Sequence, residues 1–156
     1  MTGDVKPKDR VSSIMTKEVV TVDSSETVRT ALKRMVKEDV GSLIVMESGK
    51  AVGIITERDV TRVSGSRSDP SFFEKKAKLL MKSPLVTVGP ETSIWDALEL
   101  MLNKDIRRLP VMRNDQLLGI VTERDIVLWV LKVAYEPDIP ENLRKLIEKL
   151  EKGEKL

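Results

Sequence analysis

The sequence contains no cysteine and no histidine. Without cysteine there is no disulfide, no thiolate metal ligand and no sulfur nucleophile. Without histidine the chain lacks the commonest metal ligand and the commonest general base near neutral pH. There is no Gly-rich phosphate loop of the Walker type and no evident serine–base pair. Aromatic residues are 3% of the chain, and 27 basic side chains are nearly balanced by 25 acidic ones, which leaves no electrostatic footprint for nucleic acid. No apolar run approaches the roughly 20 residues of a membrane-spanning helix. The polar stretch from Met1 to Arg10 lacks the apolar centre of a signal peptide. Together these absences argue against an enzyme, a membrane protein and a nucleic-acid binder. The expectation is a soluble, cytoplasmic protein.

What is present is a repeat. Gly53-Ile54-Ile55-Thr56-Glu57-Arg58-Asp59 returns as Gly119-Ile120-Val121-Thr122-Glu123-Arg124-Asp125, with six of seven positions identical at an offset of 66 residues. Internal repetition on this scale decides the architecture before any local reading does. The offset holds without a gap: Met15 matches Met81, and Val20-Thr21-Val22 matches Val86-Thr87-Val88. Val28, Ala31, Leu32 and Met35 lie at i, i+3, i+4 and i+7, and Ile94, Ala97, Leu98 and Met101 repeat that helical stripe.

Each unit therefore reads β-α-β-β-α. Val19 to Val22 predicts a strand, with Asp23 as helix cap and Ser24 as the first helical residue. In the second unit Gly89 takes the cap position and Pro90 the first helical one. Leu43 to Met46 and Ala51 to Thr56 predict a hairpin turning at Glu47 to Lys50, repeated at Leu109 to Met112 and Leu117 to Thr122. Helices follow from Glu57 and from Asp125. Ser64 to Pro70 predicts a linker, and Phe72 to Leu80 a short helix. The fold class is α+β, with the apolar sheet faces of two units buried against each other about a pseudo-twofold axis. The units run from 8 to 66 and from 74 to 133. A tail from 138 to 156 carries the amphipathic stripe Leu143, Leu146, Ile147 and Leu150.

The repeated Thr-Glu-Arg-Asp turn has two readings. Thr followed three residues later by an acid is a capping box, a good way to start a helix. Yet a cap does not need the arginine. Free N–H groups at a helix start favour phosphate, and an aspartate there can accept both hydroxyls of a ribose. On this second reading Thr56, Arg58 and Asp59, and Thr122, Arg124 and Asp125, form nucleotide sites. A further basic pair, Arg107-Arg108, enters the second hairpin where the first unit has Gly41-Ser42. It is suited to clamp an anion, or else to sit solvated and salt-bridged at the surface.

With these residues in view the chain resembles a tandem pair of CBS domains, a Bateman module, over roughly residues 8 to 133. The resemblance rests on Ile14-Met15 with Leu80-Met81, on the two Val-Thr-Val strands, on Ala31-Leu32 with Ala97-Leu98, on Arg107 to Val111, and on both Gly-x-x-Thr-x-x-Asp turns. It implies a stand-alone regulatory module, not an enzyme, that binds an adenosine compound (AMP, ADP, ATP, or S-adenosylmethionine) in two clefts. It implies ribose binding by Asp59 and Asp125, and phosphate contacts from Thr56, Thr122, Arg58 and Arg124. Adenine contacts would come from Met15, Thr16, Val20 and Val40 in the Asp125 cleft, and from Met81, Lys82, Val86 and Ile106 in the Asp59 cleft. Arg107 and Arg108 stand where family members place phosphate-binding basic residues, which favours the Asp125 cleft as the stronger site. Gly41 and Ser42 depart from that pattern, which predicts weaker phosphate binding beside Asp59. A homodimer and an unidentified regulated protein are the implied partners. A ligand-independent interaction module is the alternative.

Overall fold

The structure is a computed structural model and describes residues 5–66 and 69–135, with 141, 144–145, 148–149 and 152 beyond them. The predicted tail stripe Leu143, Leu146, Ile147 and Leu150 lies outside the described residues. The first unit runs β1 (Thr21–Asp23), α1 (Val28–Glu38), β2 (Ser42–Glu47), β3 (Lys50–Thr56) and α2 (Glu57–Ser66). The second runs α3 (Ile94–Lys104), β4 (Arg108–Arg113), β5 (Gln116–Thr122) and α4 (Glu123–Tyr135). No helix among the described residues is long and apolar enough to cross a membrane.

The two helical stripes behave as their spacing requires. Val28, Ala31 and Met35 are buried on α1, and Ile94, Ala97 and Met101 on α3. The helix starts are later than expected. Asp23 does not cap α1: its carboxylate takes the backbone N–H and hydroxyl of Ser25 in a tight turn. Thr27 is the N-cap, accepting from the Thr30 N–H at 3.1 Å, and Ser93 does the same for Asp96 at 3.0 Å. A hydroxyl four residues nearer the apolar stripe outcompetes the aspartate because it can bond the first turn of the helix itself. Both helices end on an aspartate in the left-handed region, Asp39 and Asp105, each at φ 50°, a conformation aspartate tolerates better than most side chains.

The two sheets differ. In the first unit β1 pairs in parallel with β2, and β2 with β3 in an antiparallel hairpin. In the second unit β4 and β5 form the matching hairpin, but Val86-Thr87-Val88 makes only an isolated bridge, Val88 to Val111. Two prolines explain the loss. The Ile44 N–H bonds Val20 and the Ser24 N–H bonds Met46 in the first unit. Pro110 and Pro90 occupy those two places in the second, and proline has no N–H to give.

The stretch read as a helix, Phe72 to Leu80, is instead two short 3-10 turns, Pro70–Glu74 and Ala77–Leu79. These turns and their counterpart Val11–Ser13 do something spacing could not reveal: they cross. Val11 packs in the core of the second unit with Ile94, Leu109, Val121 and Trp129, and Ile14 and Met15 pack against it. Phe72, Ala77 and Leu80 pack in the core of the first unit with Val28, Leu43 and Ile55. The crossings are fixed by paired backbone bonds. Thr16 and Ile120 exchange both N–H···O bonds at 2.9 Å, and Lys82 and Ile54 exchange theirs at 2.8 and 3.0 Å. Each pair is the other moved by 66 residues, so the two units are related by a pseudo-twofold axis.

Glycine is required where the crossings pass. A Cβ on Gly119 would lie 2.7 Å from the Thr16 carbonyl and 2.7 Å from the Met15 sulfur. A Cβ on Gly53 would lie 2.9 Å from the Lys82 carbonyl and 2.5 Å from the Met81 sulfur. Both glycines of the repeated motif are therefore there for close backbone approach.

Candidate functional site

The Thr-Glu-Arg-Asp turns sit where a buried strand runs straight into a helix, β3 into α2 and β5 into α4. In both, the aspartate reaches back. Oδ2 of Asp59 accepts from the Thr56 N–H at 2.8 Å and the Thr56 hydroxyl at 2.7 Å. Oδ2 of Asp125 accepts from the Thr122 N–H and hydroxyl, each at 2.8 Å. In the second turn the Asp125 N–H also approaches the Thr122 hydroxyl oxygen at 3.3 Å. The capping box is thus real, and it leaves one carboxylate oxygen, Oδ1, outside the cap in each copy.

Each turn opens onto a cleft completed by the other unit. The cleft beside Asp59 is about 330 Å³ and the cleft beside Asp125 about 350 Å³, within the roughly 300–1,000 Å³ of small-molecule sites. The first is lined by Thr56 and Arg58 from one unit, and by Lys82, Val86, Ile106, Arg107 and Arg108 from the other. The second is lined by Thr122, Arg124, Arg107 and Arg108, and by Thr16, Val20 and Val40 from the opposite unit. Most of the residues singled out from sequence are thereby brought to a cleft wall. Four are not. Met15 and Met81 pack over Gly119 and Gly53 behind the walls. Asp59 and Asp125 stand behind their threonines and line neither cleft directly.

Two sequence expectations are corrected by the geometry. Arg107 and Arg108 line both clefts, so the basic pair does not by itself favour the Asp125 side. Gly41 and Ser42 line the Asp125 cleft, while Ser42 also pairs with Thr56 and the Gly41 carbonyl accepts the Glu57 N–H, so their lack of charge does not single out the Asp59 side. Gly41 is where the Arg108 guanidinium crosses from the second unit; a Cβ there would collide with it, and the Glu57 carboxylate lies 3.2 Å from the same point. The bare backbone at Gly41 thus makes room for the basic side chain that the position itself lacks.

Charge differs between the clefts. Around Asp59 the lining carries Arg58, Lys82, Arg107 and Arg108 against Glu57 and Asp105. Around Asp125 it carries Arg107, Arg108 and Arg124 against Glu18 and Glu123. Arg58 pairs with Asp105 at 3.5 Å, and Arg107 with Glu123 at 3.7 Å, both at exposed positions. Lys82 pairs with Asp59: Nζ lies 3.2 Å from Oδ1, and Asp59 is only 4% exposed. Sequence reading missed Glu18, Asp105 and the cap acids Glu57 and Glu123 as cleft residues. Asp105 had a signal, since it ends α3 next to Ile106. Glu18 had none, because only the crossing brings it near Thr122. Among the described residues no group of acidic side chains is arranged to hold a metal ion.

Comparison with known proteins agrees with this architecture. The CBS domain profile matches twice, at residues 11–66 and 77–132. An uncharacterized 17.7 kDa protein of Acidianus ambivalens is 38% identical over 126 residues, covering 80% of this chain and 74% of that one. Among solved structures, CBSX2 in complex with AMP is similar with a TM-score of 0.70 at 27% identity, covering 80% of this chain and 98% of that one. The CBS domain pair of protein MJ0100, in complex with 5′-methylthioadenosine and S-adenosyl-L-methionine, is similar with a TM-score of 0.67 at 25% identity, covering 76% and 92%. Two profile matches spanning most of the chain, on two units related by a pseudo-twofold axis, make this chain a member of the CBS domain family, a tandem CBS pair.

Proposed function

We propose that the chain is a regulatory binding module for an adenine nucleotide (AMP, ADP or ATP), with the Asp125 cleft as its principal site. The observation that carries this reading is the Asp125–Thr122 pair. A carboxylate with one oxygen held by the helix cap and the other oxygen uncommitted stands at the start of α4. It adjoins a cleft that offers apolar Val20, Val40 and Ile120 for a purine and Arg107, Arg108 and Arg124 for phosphate. Support also comes from the relatives: CBSX2 is described with AMP, and MJ0100 with two adenosine derivatives. S-adenosylmethionine is the alternative ligand.

Because each cleft draws its walls from both units, a ligand held there bears on how the units sit together. Signalling to a regulated partner follows if the ligand binds one arrangement better than another. A homodimer is part of this reading, because Trp95, Leu102, Val127 and Val133 are all more than half exposed on α3 and α4.

The test is thermal unfolding with AMP, ADP, ATP and S-adenosylmethionine. A ligand at 100 times its dissociation constant adds about 2.7 kcal/mol of stability. Absence of a shift with all four at millimolar concentration overturns the proposal. Asp125→Ala should remove most of the shift.

A further inference from the structure

The two clefts carry the same motif but differ at one lining position, Lys82 in the first and Thr16 in the second. Thr16 and Lys82 are equivalent under the 66-residue offset, and their backbones do the same work, bridging Ile120 and Ile54. Their side chains do not. Lys82 lines the Asp59 cleft and places Nζ 3.2 Å from Asp59 Oδ1. Asp59 Oδ2 already holds the Thr56 N–H and hydroxyl. Both oxygens are therefore engaged, on a carboxylate that is 4% exposed. At the equivalent place in the Asp125 cleft stands Thr16, whose hydroxyl carries no charge. Among the described residues the Asp125 carboxylate bonds only Thr122, through Oδ2, and the residue is half-buried.

We propose that Lys82 is an internal lock: it holds Asp59 as a structural ion pair and keeps the Asp59 cleft from accepting a nucleoside, so that Asp125 alone is free to take a ribose diol. The inference rests on the reading that these clefts take nucleosides. A diol reaching Asp59 must displace an ammonium from a buried carboxylate. Neutral O–H donors would then replace a charge-assisted bond, and the carboxylate would lose its counter-charge in a poorly solvated place. At Asp125 a diol displaces no cation. With Lys82 tied to Asp59, the remaining basic lining of the locked cleft, Arg58, Arg107 and Arg108, suits it to anions rather than to uncharged sugars.

Isothermal titration with adenosine tests the lock, because adenosine carries no phosphate for the arginines to hold. The wild-type chain should bind one equivalent per chain, kept in Asp59→Ala and lost in Asp125→Ala. Lys82→Thr, which copies the other cleft, should bind two. Thr16→Lys, which installs the lock opposite Asp125, should weaken binding at least about tenfold, the loss of one charge-assisted bond. It keeps the test decisive if Lys82→Thr proves poorly folded. Two equal equivalents in the wild type, or a single one that depends on Asp59, overturns the lock and leaves the nucleotide reading standing. So does unchanged affinity in Thr16→Lys. No adenosine bound by either the wild type or Lys82→Thr overturns the lock, and the nucleotide reading is then decided by the unfolding test with the four ligands.

Discussion

Lys82 and Asp59 form an ion pair across the boundary between the two units, with Nζ 3.2 Å from Oδ1, the lysine 46% and the aspartate 5% exposed at the side chain. The asymmetry in burial sets what the pair is worth. The aspartate is held by Thr56 whatever the lysine does, and the lysine head is partly in water. Lys82→Ala should lower stability by about 1 kcal/mol, well short of a fully buried pair. A urea denaturation series with Lys82→Ala, Asp59→Ala and the double variant measures it. A coupling energy indistinguishable from zero would show the pair to be screened away.

The crossings predict a second effect. Gly119→Ala and Gly53→Ala each force a methyl group to within 3 Å of a crossing carbonyl. Each should cost about 1–3 kcal/mol. Gly65→Ala on α2 has open space and should be neutral or stabilising by up to about 1 kcal/mol. Thermal unfolding of the three variants separates crowding from a general dislike of alanine.

A pH effect follows from Glu26. The Arg34 guanidinium grips both its oxygens, at 2.8 and 2.9 Å, and the Asp23 N–H adds a bond at 2.8 Å. Arg34 first, then that N–H, hold the carboxyl below its ordinary value, against a smaller opposing effect of burial. A depressed folded pKa means the stabilisation is full above the unfolded value and disappears as pH falls through the folded one. Glu26→Gln should therefore lower stability near neutral pH by less than about 1 kcal/mol. It should also flatten the acid side of the stability profile below about pH 4.5. Parallel acid limbs for wild type and variant would contradict this.

The second unit's helices predict self-association. Trp95 meets Trp129 edge-to-face at 5.3 Å, which joins α3 to α4. Around that joint Leu102 is 70% exposed and Val127 51%. The first unit is more polar on the same face: Arg29 stands in the place of Trp95 and is tied to Glu74, and Thr61 stands in the place of Val127. Leu102→Glu with Val127→Glu should convert a dimer to a monomer by light scattering. The equivalent change at Thr61 should not. A wild-type monomer at micromolar concentration would sink the dimer.

Much of this protein is a property of the chain as a string. The 66-residue offset, the two apolar stripes and the two hairpins are legible because helix and strand periods are local. So is the Thr-x-x-Asp cap, which needs only four residues. Cap choice was less legible: Asp23 and Thr27 are both good caps, and burial of Val28 decided between them. The missing strand pairing at Val86 to Val88 was visible in principle, since Pro90 and Pro110 stand in the sequence. It needed the ladder of the first unit to show which N–H groups they remove.

Sequence by itself determined the family, the repeat and the identity of the candidate carboxylates. The resemblance implied that each unit's opening segment serves the other unit's cleft; only the tertiary structure supplied the paired backbone bonds that fix it there, long-range contacts no spacing encodes. From that crossing come the shared position of Arg107 and Arg108 and the place of Gly41 on the opposite cleft. The sharpest difference between the clefts comes from it as well. In the sequence Lys82 is implied only as an adenine contact of the Asp59 cleft. It becomes the partner of Asp59 because the Ile54 bridge holds its backbone there, and a buried carboxylate draws in the nearest positive charge.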